Sequence, residues 1–141
     1  MTDDLRLTLL GTASAAGLVR TLAAQRIRRW GCARILDDVL LVASELIVNA
    51  CEATPNDDIR FLLGREEGGV YVAVWDGGPA LPRARPVREM SFEALDASEG
   101  SWDSGGGWGL PIVAALSASC GVRADPAGGK WVWAACRATT G

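Results

Sequence analysis

Residues 59–78, with the sequence IRFLLGREEGGVYVAVWDGG, contain the pattern that decides the fold. Apolar residues alternate with other residues on both sides of Glu66-Glu67-Gly68-Gly69, so this stretch predicts two strands joined in a β-hairpin. The side chains predicted to face inward are those of Ile59, Phe61, Leu63, Val70, Val72 and Val74. A hairpin with one apolar face requires a second layer of structure to cover that face.

Two helical segments precede the hairpin and supply that layer. The first extends from about Ala15 to Trp30, with Leu18, Leu22 and Ile27 predicted to face inward. The second extends from about Ile35 to Ala53, and its apolar residues follow the 3.6-residue period of a helix. The predicted inward stripe of this second helix comprises Leu36, Val39, Leu40, Ala43, Leu46, Ile47 and Ala50.

Shorter elements complete the predicted fold. A strand containing Leu5, Leu7 and Leu9 precedes the first helix, and a third helix is expected from about Leu110 to Ser119. Two last strands are expected over residues 121–124 and 131–137. The fold class is therefore α/β, as a two-layer α+β sandwich with a largely antiparallel mixed sheet and helices on one face. At 141 residues, the chain fits a single domain over 1–141.

The composition argues against several classes of function. A net charge of −3 gives no support for direct nucleic-acid binding. No apolar run reaches the roughly 18 residues that a membrane span needs, and the acidic N-terminus does not resemble a signal peptide, so we expect a cytoplasmic protein. The chain has no histidine, which excludes a Ser-His-acid triad, and no zinc-ligand spacing relates Cys32, Cys51, Cys120 and Cys136.

Glu45 and Asn49 are the first candidate functional residues. They lie four residues apart on the second helix, and therefore on one helix face at the edge of the apolar stripe. A carboxylate and an amide are costly to bury there unless something pairs with them. The alternative is a polar pair on a helix face exposed to solvent.

Asp76-Gly77-Gly78 follows the second strand of the hairpin. An aspartate just beyond buried valines can accept a hydrogen bond from the edge of a nucleobase, and the glycines allow a ring to approach the backbone. The alternative is a plain turn, which Asp-Gly-Gly-Pro sequences form readily.

A glycine-rich segment precedes the third helix, which is predicted to begin at Leu110. Backbone N–H groups at a helix N-terminus attract anions, so this segment is a candidate phosphate-binding loop, with a flexible linker as the alternative. It does not match the Gly-x-x-x-x-Gly-Lys-[Ser/Thr] motif or the dinucleotide-binding fingerprint. The segment consists of Gly105, Gly106, Gly107, Trp108 and Gly109.

Three other features have two interpretations each. Residues 79–104 show no periodicity, and a loop of that length is either a functional lid or a disordered segment. Lys130 either approaches phosphate as a point charge or is a solvated lysine at a strand end. Arg26, Arg28 and Arg29 form either a partner-docking surface or a solvated helix face.

The order and spacing of these segments resemble the N, G1 and G2 boxes of the histidine-kinase-like (GHKL) ATPases, from about Leu40 to Cys136. The flanking sequences look most like the anti-sigma-factor and serine-protein-kinase branch, with its ATP-binding regulatory proteins of actinobacterial type. The segment Gly128-Gly129-Lys130-Trp131-Val132-Trp133 is similar to the Gly-Gly-Lys-Thr-Val-Trp segment of that branch.

This resemblance implies the ATPase (Bergerat) fold, with ATP and Mg²⁺ as cofactors. Asn49 would bind Mg²⁺ and the nucleotide, and Glu45 would be the catalytic residue that activates water or a serine hydroxyl. Asp76 and Gly78 would bind adenine. The segment 105–109 with Leu110 would bind the phosphates together with Lys130, and residues 79–104 would form the ATP lid.

The same resemblance implies a protein serine kinase that regulates transcription by partner switching. It would bind a sigma factor, phosphorylate a serine of an anti-sigma-factor antagonist, and form a homodimer, as family members often do. Three positions depart from the family pattern, namely Ala53, Ala80 and Trp131. They keep open a second function, a nucleotide-binding interaction module without useful turnover. A third interpretation is a soluble domain whose glycines form only turns.

Overall fold

The computed structural model describes residues 3–78 and 110–137. Its helices are α1 (Ala15–Arg29), α2 (Leu36–Ala53) and α3 (Leu110–Leu116), and a single 3-10 turn, Ala33–Ile35, precedes α2. The strands are β1 (Leu5–Leu10), β2 (Asp58–Glu66), β3 (Gly69–Asp76), β4 (Ser119–Ala124) and β5 (Lys130–Arg137). The predictions for residues 79–104 and 105–109 lie outside the described residues.

The strands form one five-stranded sheet in the order β1-β2-β3-β5-β4. Every pairing between neighbouring described strands is antiparallel. The helices pack on one face of this sheet, as the sequence predicted, so the two-layer α+β fold class is confirmed. None of the described helices has both the length and the apolar composition that crossing a bilayer demands.

The core lies between the sheet and α2. The inward-facing residues of the hairpin are buried as predicted, and so is most of the α2 stripe. The prediction for Leu18 is wrong, because this side chain is 48% exposed. Helix α1 instead turns Ala15, Val19, Ala23 and Ile27 inward, a stripe with a spacing of four residues that includes two small alanines.

The third helix is shorter than its sequence predicted. It ends at Leu116 instead of Ser119, and Ser119 is already the first residue of β4. The Ser117 hydroxyl donates to the Val113 carbonyl oxygen at 2.6 Å, which satisfies an acceptor of the last turn. The Ala118 N–H then donates to the Ala135 carbonyl oxygen at 2.7 Å and directs the chain into the sheet.

Candidate functional site

Helix α2 carries the polar face of the candidate site. Glu45 and Asn49 occupy successive turns of this helix and share one face, as predicted from their spacing. Glu45 is half-buried, whereas Asn49 is only 8% exposed and lies among the buried residues of α2. The interpretation of this pair as a solvated surface pair is therefore wrong for Asn49.

The amide of Asn49 lacks a hydrogen-bond partner in the part of the chain that the structure describes. Its Oδ1 and Nδ2 atoms are both buried, and neither has a hydrogen-bond partner within residues 3–78 and 110–137. A buried polar group left without a partner costs about 1–3 kcal/mol. A buried polar group of this kind can mark the place of an ion, a water molecule or another ligand, and the Oδ1 atom suits Mg²⁺, which takes few protein oxygens and keeps water and phosphate ligands.

Asp76 and Lys130 form a buried ion pair where the central strand β3 ends and the neighbouring strand β5 begins. They are directly opposite in the β3–β5 register, and the Lys130 ammonium donates to Asp76 Oδ1 at 2.8 Å. Asp76 is 2% exposed and Lys130 is 4% exposed. The interpretation of Lys130 as a solvated lysine is therefore wrong. Its predicted contact with phosphate remains a prediction, and its ammonium group already donates a hydrogen bond to Asp76.

The Asp76 carboxylate also organises the start of the following loop. The Gly78 N–H donates to Asp76 Oδ1 at 2.8 Å, an Asx-type turn that the sequence left open as an alternative. A Cβ atom added at Gly78 would lie 3.0 Å from Asp76 Oδ1 and 3.5 Å from side-chain carbons of Ala53 and Thr54. The end of β3 therefore adjoins the C-terminal end of α2, one turn beyond Asn49.

The turn before β5 fixes the position of Lys130. Gly129 has a φ of +80°, and a Cβ there would overlap the carbonyl oxygen of Asp76, so only glycine fits. The indole N–H of Trp75 donates to the Gly128 carbonyl oxygen at 2.9 Å. Hydrogen bonds from the Ala127 N–H and the Trp131 indole lower the pKa of Asp125 below its usual value, because they stabilise the carboxylate.

Trp131 does not line the candidate site. It stands where the family segment that the sequence resembles has threonine, and its side chain lies on the outer face of the sheet. There it borders a groove of about 620 Å³ together with Trp133, Tyr71 and Arg123. Strand alternation could have revealed this, because Val132, Ala134 and Cys136 set the inward face and assign position 130 to the side of Asp76.

The glycine-rich segment 105–109 lies outside the described residues, but the helix that follows it is present. Helix α3 begins at Leu110 and packs against α2, with Val113 buried in the core. The phosphate-binding roles predicted for the segment 105–109 and for Leu110 remain predictions.

These observations define a class of protein. Among the described residues, a five-stranded antiparallel sheet with three helices on one face forms a two-layer α+β domain, and polar groups of α2 lie beside the end of β3. The family model described as the histidine kinase-like ATPase domain matches residues 11–136, most of the chain. The chain belongs to the histidine kinase-like ATPase domain family. No curated protein matches it closely enough to be counted as a relative.

Proposed function

We propose that this protein binds ATP with Mg²⁺ between α2 and the end of β3, and that it transfers the γ-phosphoryl group to a protein serine. The observation that carries the proposal is the buried amide of Asn49, which has no hydrogen-bond partner among residues 3–78 and 110–137 and whose oxygen is a suitable ligand for Mg²⁺. Membership of the histidine kinase-like ATPase family supports the choice of ATP.

Each residue has a role in this proposal. Asn49 Oδ1 would hold Mg²⁺, an ion that prefers few protein oxygens. Asp76 and the neighbouring Gly78 recognise the base, with Lys130 beside them. The segment 105–109 and Leu110 bind the phosphates through backbone N–H groups. The metal supplies charge neutralisation for the transferred group when it is bound.

Glu45 is the proposed general base. It lies one helical turn from Asn49 and is half-buried. Because the chain has no histidine, the role of general base falls to a carboxylate. The carboxylate accepts the proton of the acceptor serine as the serine oxygen forms its bond to the γ-phosphorus. The bond from that phosphorus to the bridging oxygen breaks, and ADP leaves. Catalysis of this kind depends mainly on positioning and on charge stabilisation.

The proposed partners follow from the anti-sigma-factor branch that the sequence resembles. The protein would act in the cytoplasm, bind a sigma factor, and phosphorylate a serine of the anti-sigma-factor antagonist, with a homodimer as its assembly. Phosphorylation would release the antagonist and so regulate transcription by partner switching.

A second candidate function is a nucleotide-binding module that sequesters its partner without turnover. One observation favours it. Trp131 occupies the position of the threonine in the family segment that the sequence resembles and borders the groove on the outer face of the sheet, so β5 brings no hydroxyl group to the site at this position. This module would bind nucleotide and partner but would show no phosphoryl transfer.

A phosphotransfer assay tests the proposal. Purified protein, Mg²⁺ and γ-labelled ATP are incubated with candidate antagonists from the source genome, and label on the antagonist serine is measured. We expect Glu45→Ala to abolish transfer while nucleotide binding, followed by calorimetry, stays nearly intact. Glu52→Ala, at an exposed glutamate of the same helix, is the matched control and should transfer normally.

The outcomes separate the two candidates. Nucleotide binding without label on any antagonist would favour the sequestering module. Absence of nucleotide binding would contradict both candidates.

A further inference from the structure

The groove on the outer face of the sheet is separate from the proposed nucleotide site. Its lining residues belong to the five strands, apart from Ala118, whereas Glu45 and Asn49 lie on α2, which packs on the other face. We propose that this outer-face groove is a docking site for an extended acidic peptide segment of a partner protein. The inference goes beyond the proposed function, because the sheet separates the two sites.

The strand register gives the layout of the groove. Trp131, Trp133 and Ala135 are the outward-facing residues of β5 at this groove. In the β3–β5 pairing, Ala73 lies opposite Trp133, and Tyr71 lies opposite Ala135. Each large ring therefore faces an alanine across the strand pair. The small alanine side chains leave space between the rings, and this space is part of the groove of about 620 Å³.

Two of the rings are fixed by hydrogen bonds. The Trp131 indole N–H donates to Asp125 Oδ2 at 3.0 Å, in the turn between β4 and β5. The Tyr71 hydroxyl donates to Asp4 Oδ2 at 3.4 Å, and a Cβ added at Gly64 of β2 would overlap the Tyr71 ring. The groove is therefore formed before a ligand arrives, which reduces the conformational entropy lost on binding.

The charged residues of the groove favour an anionic occupant. Its lining contains three arginines and one acidic residue, Glu66. Arg6 is paired with Asp4, with 3.5 Å between Nη2 and Oδ2. Arg123 and Arg137 are exposed and make no ion pair with residues 3–78 or 110–137. These two guanidinium groups can therefore bind carboxylates in the bidentate geometry that suits arginine.

The spacing of the two unpaired arginines indicates an extended chain. Arg123 lies opposite Trp131 in the β4–β5 register, and Arg137 is six residues beyond Trp131 on β5. At about 3.4 Å per residue, the two levels are about 20 Å apart along the strand. An extended peptide with carboxylates six residues apart spans the same distance and presents both on one face. Apolar side chains between them would lie against the rings and alanines.

A single-stranded nucleic acid matches these charges less well. Such a strand carries a phosphate at every nucleotide, whereas the two unpaired arginines stand about 20 Å apart. Glu66 also lines the groove, and the whole chain has a net charge of −3. A peptide with two well-separated carboxylates is therefore the occupant that the surface fits.

Titration with synthetic peptides tests the proposal. The probe is the acetylated and amidated heptapeptide Asp-Thr-Leu-Thr-Phe-Thr-Asp, which presents both carboxylates and both apolar side chains on one face when extended. One control peptide carries lysine in place of both aspartates, and a second carries the two aspartates side by side. Calorimetry with the full chain measures binding. We expect a dissociation constant below about 1 mM for the probe and binding of each control at least about tenfold weaker.

Charge reversal of the two arginines provides the comparison. The double variant Arg123→Glu/Arg137→Glu should lose affinity for the probe and bind the lysine peptide instead. Arg20→Glu, at an exposed arginine of α1, is the matched control and should leave both affinities unchanged. Circular dichroism checks that each variant is folded. If the double variant does not fold, Arg123→Gln and Arg137→Gln serve in its place, and each should weaken binding of the probe at least about threefold.

Four results would overturn the inference. The first is no binding of the probe at about 1 mM, and the second is equal binding of the probe and the lysine peptide. The third is a dimer, seen by analytical ultracentrifugation, that the double variant dissociates, because a second copy would then cover the groove. The fourth is a thymidine heptanucleotide that binds more tightly than the probe and is lost on charge reversal. Each result leaves the proposed function intact, because nucleotide binding is measured separately and should be unchanged in the double variant.

Discussion

The Asn49 side chain lies among the buried residues of α2, and neither its amide oxygen nor its amide nitrogen has a hydrogen-bond partner among the described residues. Replacement by leucine, an apolar side chain of similar size, removes that unsatisfied group and adds apolar burial. We therefore expect Asn49→Leu to raise the free energy of unfolding of the ligand-free protein by about 1–3 kcal/mol. Urea unfolding followed by circular dichroism measures the change.

The aspartate variant is the control for that experiment. Asn49→Asp keeps the shape of the side chain but buries a carboxylate that lacks a described cation partner, so it should destabilise the ligand-free protein. A lower free energy of unfolding for Asn49→Leu would mean that the amide has a partner in solution, and the argument for a ligand at this position would then fail.

Cys136 is protected by its surroundings. It is 1% exposed, and burial, reinforced by the nearby carboxylates of Asp38 and Glu66, raises the pKa of its thiol to about 11. At pH 8 only about one thiol in a thousand would be ionised. We expect iodoacetamide to modify Cys136 far more slowly in the folded protein than in the urea-unfolded chain, with a rate that increases as the pH approaches 11.

Timed alkylation followed by peptide mass spectrometry gives that rate for each cysteine separately. The unfolded chain is the reference, because all four thiols are then equally accessible. A Cys136 rate at pH 8 that is equal in the folded and unfolded protein would contradict the burial of this side chain.

At the scale of the elements, the Asp76–Lys130 pair joins β3 to β5. Removal of one partner leaves a buried charge alone, so Asp76→Leu and Lys130→Met should each cost about 3–5 kcal/mol of stability. The double variant replaces both charges with apolar groups and should recover most of that loss. Urea unfolding of the four proteins in a double-mutant cycle gives the coupling energy. Simple additivity of the two costs would contradict a direct interaction.

Alanine substitutions at two glycines test how closely α1 and β3 pack against their surroundings. Gly17 is an exposed residue of α1, and a Cβ there meets no atom within 4 Å, so Gly17→Ala should stabilise the helix by about 0.5–1 kcal/mol. Gly69 begins β3, where a Cβ would overlap the carbonyl oxygen of Cys136. Gly69→Ala should destabilise the protein by about 1–3 kcal/mol. Melting curves of both variants measure the effects, and equal shifts would contradict the β3–β5 approach.

Elements with a strong local pattern were predictable from the sequence. The β2–β3 hairpin alternates along its length, and α2 repeats its apolar residues with the helical period, so each element identifies its own buried face. Helix α1 was less predictable. Its inward stripe contains small alanines, and only packing decides that these side chains face inward instead of Leu18.

Long-range pairing explains what the sequence did not reveal about the site. Asp76 was recognised from its place at a strand end, but its partner Lys130 lies 54 residues away and is brought to it by the β3–β5 register. A register between distant strands depends on the whole sheet, so local pattern does not determine it. The outward orientation of Trp131, in contrast, follows from the alternation of side chains within β5 itself.

At the scale of the whole molecule, one hydrophobic core joins α1, α2, α3 and the sheet, so the chain should unfold in a single transition. A ligand that binds only the folded state raises the stability by about 2.7 kcal/mol at a concentration of 100 times its dissociation constant. For a chain of this size, we expect ATP with Mg²⁺ to raise the melting temperature by roughly 10 °C. Scanning calorimetry with and without EDTA separates the part that depends on Mg²⁺.

Asn49→Ala provides the decisive comparison in that experiment. Because the amide oxygen is the proposed metal ligand, this variant should lose the Mg²⁺-dependent part of the shift and keep the part that ATP produces in EDTA. Glu52→Ala, with its exposed side chain on the same helix, should keep both parts. If Asn49→Ala retained the full response to Mg²⁺, the metal would bind elsewhere, and the Asn49 amide, which has no partner among the described residues, would need another explanation.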